Sequence, residues 1–280
     1  MEINKFQTLA DFSAYLTAVL PRRYSVEMLM GAEHKHDSSW NLIGFCRPCE
    51  KASRFLVDWQ YSDKTIPNFR ERCVCEHCGL NNRQRFMLSY LADCLKHDSN
   101  VSDIFAYEQV TAFYRFLTTK LQDINVVGSE YLGFDKIGGD VFDGIRHEDA
   151  VDLSFVDHSF DFIVSNDVFE HVPDILKAFA EAFRVLKPQG KLLFTIPFYY
   201  NSEVTQQRAK FNTGKLECLL PEQYHGNPVS EKGSLVFYDF GWDILETCKA
   251  AGFNDAYLLS YYSLFYGHIG GLQMMFVAEK

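Results

Sequence analysis

The sequence predicts an α/β protein in which a small metal-binding module and an N-terminal helix precede a mostly parallel sheet flanked by helices. Three observations carry that expectation. From about residue 101 short apolar stretches alternate with helical ones, five cysteines crowd into residues 46–78, and apolar residues recur at helical spacing through the first twenty positions. The chain has 280 residues, 47% of them hydrophobic and 23% charged, enough to bury a large core. With 27 Lys+Arg against 37 Asp+Glu, the net charge of −10 repels phosphate backbones and argues against a generic nucleic-acid coat.

Residues 4–20 place Phe6, Leu9, Phe12, Leu16 and Leu20 on one helical face, and Pro21 is expected to end that helix. The opening residues carry Glu2, Lys5 and Asp11 and lack the basic start and apolar block of a secretory signal. No apolar run reaches the roughly 18 residues of a membrane span. A soluble cytoplasmic protein with no membrane partner is expected.

The cysteines read as Cys46-Arg-Pro-Cys49 and Cys73-Val-Cys75-Glu-His-Cys78-Gly79. Two residues between thiolates let both sulfurs of a tight turn face one ion, and Gly79 can take the positive φ such a turn needs. Cys46, Cys49, Cys75 and Cys78 are therefore the expected ligands of a structural four-cysteine site. Zinc is the expected ion, and a rubredoxin-like iron fits the same ligands, which the sequence does not separate from zinc. Cys73 is a spare or a substitute ligand, and His34, His36 and His77 lie nearby. The segment between the pairs looks too short for a core of its own, so the metal is expected to supply its folding free energy, on the order of 10 kcal/mol for zinc.

Arg83–Lys96 reads as a second helix, followed by a polar break at His97-Asp98-Ser99-Asn100. The expected organisation is residues 1–45 as an N-terminal helical segment, 46–99 as the metal module with its linking helix, and 100–280 as the main domain. Strands are expected at Ile104–Tyr107, Ile124–Val127, Phe160–Ser165 and Lys191–Pro197. A helix is expected over Pro173–Lys187 with Ile175, Leu176, Phe179, Phe183 and Leu186 buried, stopped by Pro188-Gln189-Gly190. Gly241–Gly252 reads as a further helix, and Tyr257–Ser260 with Leu272–Ala278 as a closing strand pair.

The stretch Leu153–Asp174, which includes Phe160-Asp-Phe-Ile-Val-Ser-Asn-Asp-Val-Phe-Glu-His171, resembles a class I S-adenosylmethionine-dependent methyltransferase. So does Arg184-Val-Leu-Lys-Pro-Gln-Gly-Lys-Leu-Leu-Phe-Thr-Ile-Pro197. The resemblance covers about residues 101–280 and implies a Rossmann-like, seven-stranded sheet with the cofactor beyond the carboxyl ends of its strands. It implies that Glu108 meets the methionine ammonium with Thr111 beside it. Glu130 would hold both ribose hydroxyls, with Tyr131 adjacent. Asp149, or its neighbour Glu148, would contact adenine, and Asn166 and Asp167 would line the methionine end and the substrate. One departure is plain: the first loop, Tyr107-Glu-Gln-Val-Thr-Ala-Phe-Tyr114, contains no glycine, so Val110 and Thr111 must be accommodated where the family leaves room.

The cysteine pairs, Asn81-Asn-Arg-Gln-Arg85, Gly128-Ser-Glu-Tyr131, Arg146-His-Glu-Asp149 and Tyr224-His-Gly-Asn-Pro228 also resemble a bacterial methyltransferase subgroup with a metal-binding front end. The expected acceptor is a small polar molecule such as a sugar or another metabolite. His225 is the candidate base and His171 the second, each with a structural alternative in fixing its turn or loop. Arg83 and Arg85 are candidates for an anionic group on the acceptor. Two other readings stay open. One is a zinc-ribbon RNA methyltransferase using Arg22, Arg23, Arg47, Arg70, Arg72, Arg83 and Arg85; the other is a scaffold that no longer binds the methyl donor.

Overall fold

The computed structural model describes residues 1–97 and 100–280. Asp98 and Ser99, where the domain boundary is expected, lie outside the described residues. The N-terminal elements are β1 (Glu2–Phe6), α1 (Leu9–Ala32), β2 (Ser39–Cys46), β3 (Lys51–Asp58), β4 (Val74–Cys75) and α2 (Asn82–His97). Then follow β5 (Asp103–Ala106), α3 (Ala112–Lys120), β6 (Asn125–Gly128), β7 (Val141–Phe142), β8 (Ile145–Arg146), β9 (Phe160–Asn166), α4 (Ile175–Val185) and β10 (Leu186–Thr195). An excursion of short hairpins carries β11 (Gln206–Gln207), β12 (Ala209–Asn212), β13 (Lys215–Cys218), β14 (Tyr224–Asn227), β15 (Ser230–Leu235) and β16 (Tyr238–Asp239). The chain closes with α5 (Ile244–Ala250), β17 (Asp255–Tyr262) and β18 (Met274–Glu279). The large sheet has seven strands in the order β1-β17-β18-β10-β9-β5-β6 with a parallel core, the α/β class the sequence predicts.

The chain forms two compact units, Met1–Ser99 with Leu258–Met275, and Asn100–Tyr257 with Phe276–Lys280. In the first unit α1 does not stop at Pro21; it runs on to Ala32. Thr8 caps it by accepting from the Asp11 amide at 3.2 Å. Its inward face is Phe12, Leu16, Arg23, Glu27 and Gly31, so a continuous helical stripe turns polar halfway and escapes a search for apolar periodicity. Arg23 pairs with Glu2 at 3.1 Å, and Glu27 accepts from the Gly270 amide at 2.9 Å. β1, which helical periodicity alone absorbs into α1, pairs antiparallel with Leu258–Tyr262.

The segment between the cysteine pairs buries its apolar residues in a cluster shared with the rest of the first unit. β2 and β3 form a hairpin in full register from Ser39↔Asp58 to Cys46↔Lys51. Along β3 the alternation buries Ser53, Phe55 and Val57, and the two apolar residues join Trp40, Trp59, Phe69, Cys73 and Ile269 beneath the sulfurs. Apolar burial therefore shares the folding free energy with any bound metal.

In the second unit β10, β9, β5 and β6 run parallel, and β18 pairs antiparallel with β10 from Phe276 to Glu279. Phe105, Ile163, Val164, Leu193 and Phe194 fill the sheet's interior. Asp174 caps α4 through the Lys177 amide at 3.0 Å. α4 buries Ala178, Phe179, Ala182 and Val185, whereas Leu176, expected inside, is 47% exposed. Pro188-Gln189-Gly190 does not separate helix from strand. It is a bulge inside β10, with Gln189 at φ 69° and the register to β9 shifting between Leu186 and Lys191.

Candidate functional site

In the first unit the turn Cys46-Arg-Pro-Cys49 joins β2 to β3, with Glu50 at φ 55° closing the hairpin. β4 delivers Cys75, and Gly79 at φ 70° donates its amide to the Cys75 carbonyl at 2.9 Å. These two turns bring the four predicted sulfurs within 4.8 Å of one another. Cys46 Sγ lies 3.9 Å from Cys78 Sγ, and Cys49 Sγ the same distance from Cys75 Sγ. A tetrahedral zinc with sulfurs at ~2.3 Å requires edges of about 3.8 Å, so the donor set fits. The His77 amide donates to Cys75 Sγ at 3.4 Å, a contact that suits a thiolate.

Among the described residues no fifth ligand joins the cluster. His34 stacks on Trp40 at 4.0 Å, His36 meets the edge of Trp59, and the His77 ring faces Glu76. Cys73 belongs to the apolar core, where burial pushes its thiol up to about 12.

Arg85, expected to bind an acceptor, is fully buried in this unit. Its guanidinium donates to the carbonyls of Cys73, Tyr266 and Gly267 and lies 4.1 Å from the Phe55 ring centre. Those bonds hold the backbone of the first unit in place. Arg83 is engaged by Glu71 at 2.9 Å.

In the second unit the carboxyl ends of three adjacent parallel strands gather the predicted cofactor residues. β6 leads into Glu130, β5 into Glu108, and β9 into Asn166 and Asp167. Gly128 lets the first two approach, since a Cβ there would lie 2.5 Å from the Tyr114 ring and 2.7 Å from the Glu108 carbonyl. Glu130 Oε1 accepts from the amides of Gln109 at 2.8 Å and Val110 at 3.0 Å, which turns the glycine-free loop around a carboxylate. Oε2 makes no side-chain hydrogen bond among the described residues. The buried Glu108 accepts from Asn166 Nδ2 at 2.6 Å and from the Thr111 hydroxyl. Thr111 also caps α3 through the Tyr114 amide at 3.1 Å, so it orients a helix start rather than filling the space a glycine would leave.

Asp167, at φ 53°, is pinned to the end of β10 by its amide to the Thr195 carbonyl and by the Thr195 hydroxyl at 2.8 Å. Tyr131 is half exposed beside the His147 ring. Of the two candidate adenine contacts, Glu148 is buried and committed to Arg146 at 2.7 Å and to the Ser154 amide and hydroxyl. Among the described residues the Asp149 carboxylate accepts from the Val151 amide of its own turn at 3.0 Å, and it is partly exposed.

Two further residues have no place among the sequence-predicted site. Gln109 straps the loop to β8, accepting from the Arg146 amide at 2.8 Å and donating to the Gly144 carbonyl at 2.9 Å. Glu170 lies between the two histidine candidates, with His171 Nε2 at 3.6 Å and His225 Nδ1 at 3.4 Å from its Oε1. A signal for it exists in the sequence, because an acidic residue beside His171 follows an apolar strand directly.

A family model described as a methyltransferase domain matches residues 91–194, the span that holds β5, β6, β9 and the residues at their ends. That stretch is similar to the methyltransferase domain family. The chain is 45% identical over 147 residues to a demethylmenaquinone methyltransferase of Staphylococcus epidermidis, covering 48% of this chain and 54% of that protein. It is 40% identical over 65 residues to phosphoethanolamine N-methyltransferase 2 of Caenorhabditis elegans, covering 23% of this chain and 14% of that one. The chain thus spans about half or less of the length of these relatives. Among solved structures, an S-adenosylmethionine-dependent methyltransferase from Mesorhizobium loti aligns at TM-score 0.40 and 14% identity, over 64% of this chain and 91% of that one.

Proposed function

We propose that the chain is an S-adenosylmethionine-dependent methyltransferase acting on a small polar acceptor, with a structural zinc in the four-cysteine site. The observation that carries this reading is the cluster of Glu108, Glu130 and Asn166 at the carboxyl ends of adjacent parallel strands, where the strand order switches direction. When bound, the sulfonium cofactor supplies an electrophilic methyl group. Glu130 accepts the ribose hydroxyls, Glu108 faces the ammonium, and Asp149 reaches the adenine. Asn166 and Asp167 line the methionine end. If the acceptor is a hydroxyl, its oxygen forms the new bond to carbon as the carbon–sulfur pair returns to sulfur. Its proton leaves toward the cluster of His171 and His225.

Of the two other readings, RNA methylation is the less supported. Arg23, Arg47, Arg70, Arg72 and Arg83 each sit against a carboxylate and Arg85 is interior, so of the arginines named for that reading Arg22 is the exposed one without a carboxylate against it among the described residues. Calorimetric titration with S-adenosylhomocysteine tests the proposal. Binding is expected, weakened by about 10–100-fold in Glu130→Gln, since a hydrogen bond to a charged group contributes ~1.5–3 kcal/mol. No heat at millimolar ligand would leave only the scaffold.

A further inference from the structure

Glu170 is fully buried, and neither carboxylate oxygen has a hydrogen-bond partner among the described residues. A carboxylate in that position is costly unless a cation compensates it. Two imidazoles converge on it, His171 from the turn after β9 and His225 from β14, with rings 5.1 Å apart at 88°. One ligand atom from each of the three residues lies within 4.8 Å of the other two. We infer that Glu170, His171 and His225 hold a divalent metal ion of the zinc, manganese or iron(II) class, separate from the four-cysteine site.

Three details favour an ion over simple carboxylate–imidazolium pairs. The histidine nitrogens stand 3.4 and 3.6 Å from the same oxygen, beyond the ~2.7–2.9 Å of a charge-assisted hydrogen bond. Ligands at ~2.1 Å from one ion are about 3.0–3.4 Å apart, close to what is seen. His171 Nδ1 lies 2.8 Å from the Leu235 carbonyl, which can only accept, so Nδ1 carries a proton and the neutral ring presents its Nε2 lone pair toward Glu170, as a metal ligand requires. His225 Nε2 lies 3.2 Å from the Gln223 amide. A half-turn of that amide presents its oxygen to Nε2–H and frees the Nδ1 lone pair for the metal.

Two histidines and one carboxylate form a set that leaves coordination positions open. His171 and His225 are 15% and 30% exposed, so those positions face solvent and an incoming oxygen ligand. On the methyl-transfer reading, the ion would bind and acidify an acceptor hydroxyl beside Asn166 and Asp167, a task otherwise left to a free imidazole. That role rests on the proposed function; metal binding itself does not.

The test is Mn²⁺ titration of the whole chain, read by loss of the free-ion electron paramagnetic resonance signal, because manganese favours nitrogen and oxygen donors over thiolates. One Mn²⁺ per chain is expected. The affinity should fall at least about 100-fold in Glu170→Gln and in His225→Ala, a change on an exposed hairpin that leaves the fold intact by thermal unfolding. With Zn²⁺ the wild type should retain two ions and His225→Ala one. No Mn²⁺ binding with a single zinc, or equal affinity in His225→Ala, would overturn the inference. Titration with S-adenosylhomocysteine run in parallel separates this failure from that of the methyltransferase reading.

Discussion

Asn166 Nδ2 donates to Glu108 Oε1 at 2.6 Å, a bond from the end of β9 to the end of β5 across the point where strand order reverses. The amide holds a buried carboxylate in one orientation, so on the proposed function a cofactor ammonium would meet a fixed charge. Asn166→Ala should weaken S-adenosylhomocysteine binding by roughly 10-fold, the effect of losing one charge-assisted hydrogen bond. Asn166→Asp, which sets a second carboxylate against Glu108, should disturb the site further and lower the melting temperature. Calorimetry and thermal unfolding on the same samples check both.

The four sulfurs and the apolar cluster beneath them make separable contributions. Cys75→Ser should release the metal, measured as zinc per chain, and destabilise the β2–β3 hairpin without erasing its circular-dichroism signal, because Phe55, Val57 and Trp59 stay packed. Cys73→Ser should leave zinc content unchanged and cost on the order of 1–3 kcal/mol by burying a hydroxyl. A fall in zinc content with Cys73→Ser would instead make Cys73 a ligand.

Glu27 gives the first unit a pH response. Burial pushes its carboxyl from an ordinary 4.5 up to about 7, against the opposing pull of the Gly270 and Gly271 amides and Arg23. Between those values the folded chain keeps a proton that the unfolded chain releases, so stability falls as pH rises. The loss amounts to roughly 3 kcal/mol across the window. Urea unfolding from pH 5 to 8 should show this decline, and Glu27→Gln should flatten it.

Arg85 carries a structural prediction. Arg85→Ala strips bonds from the carbonyls of Cys73, Tyr266 and Gly267. Stability should drop by about 3–5 kcal/mol in urea, with Arg85→Lys only a partial rescue, because an ammonium cannot span three carbonyls in a plane.

The parallel core and the two cysteine turns are legible in the sequence because both rest on local signals: short apolar runs between helical stretches, and fixed spacing between thiols. The stripe of α1 is legible only to Leu20, since Arg23 and Glu27 continue it with charged groups held by Glu2 and by the distant Gly270 and Gly271. β1 is hidden for a similar reason, as its partner is Leu258–Tyr262. At the site, strand-end carboxylates can be picked out one by one. Their division of labour cannot, because Glu148 is committed through Arg146 and Ser154, contacts that its place in the chain does not reveal.

Residues 258–275 complete the unit that begins at Met1, so the gene does not encode this unit as one uninterrupted segment. A truncated chain ending near residue 99 would lack the strand that zips onto Glu2–Phe6 and the amide that satisfies Glu27. It would report on a broken piece even with its sulfur cage intact. Dissection of the protein is better done by excising the hairpin excursion after β10, whose two ends both belong to the other unit.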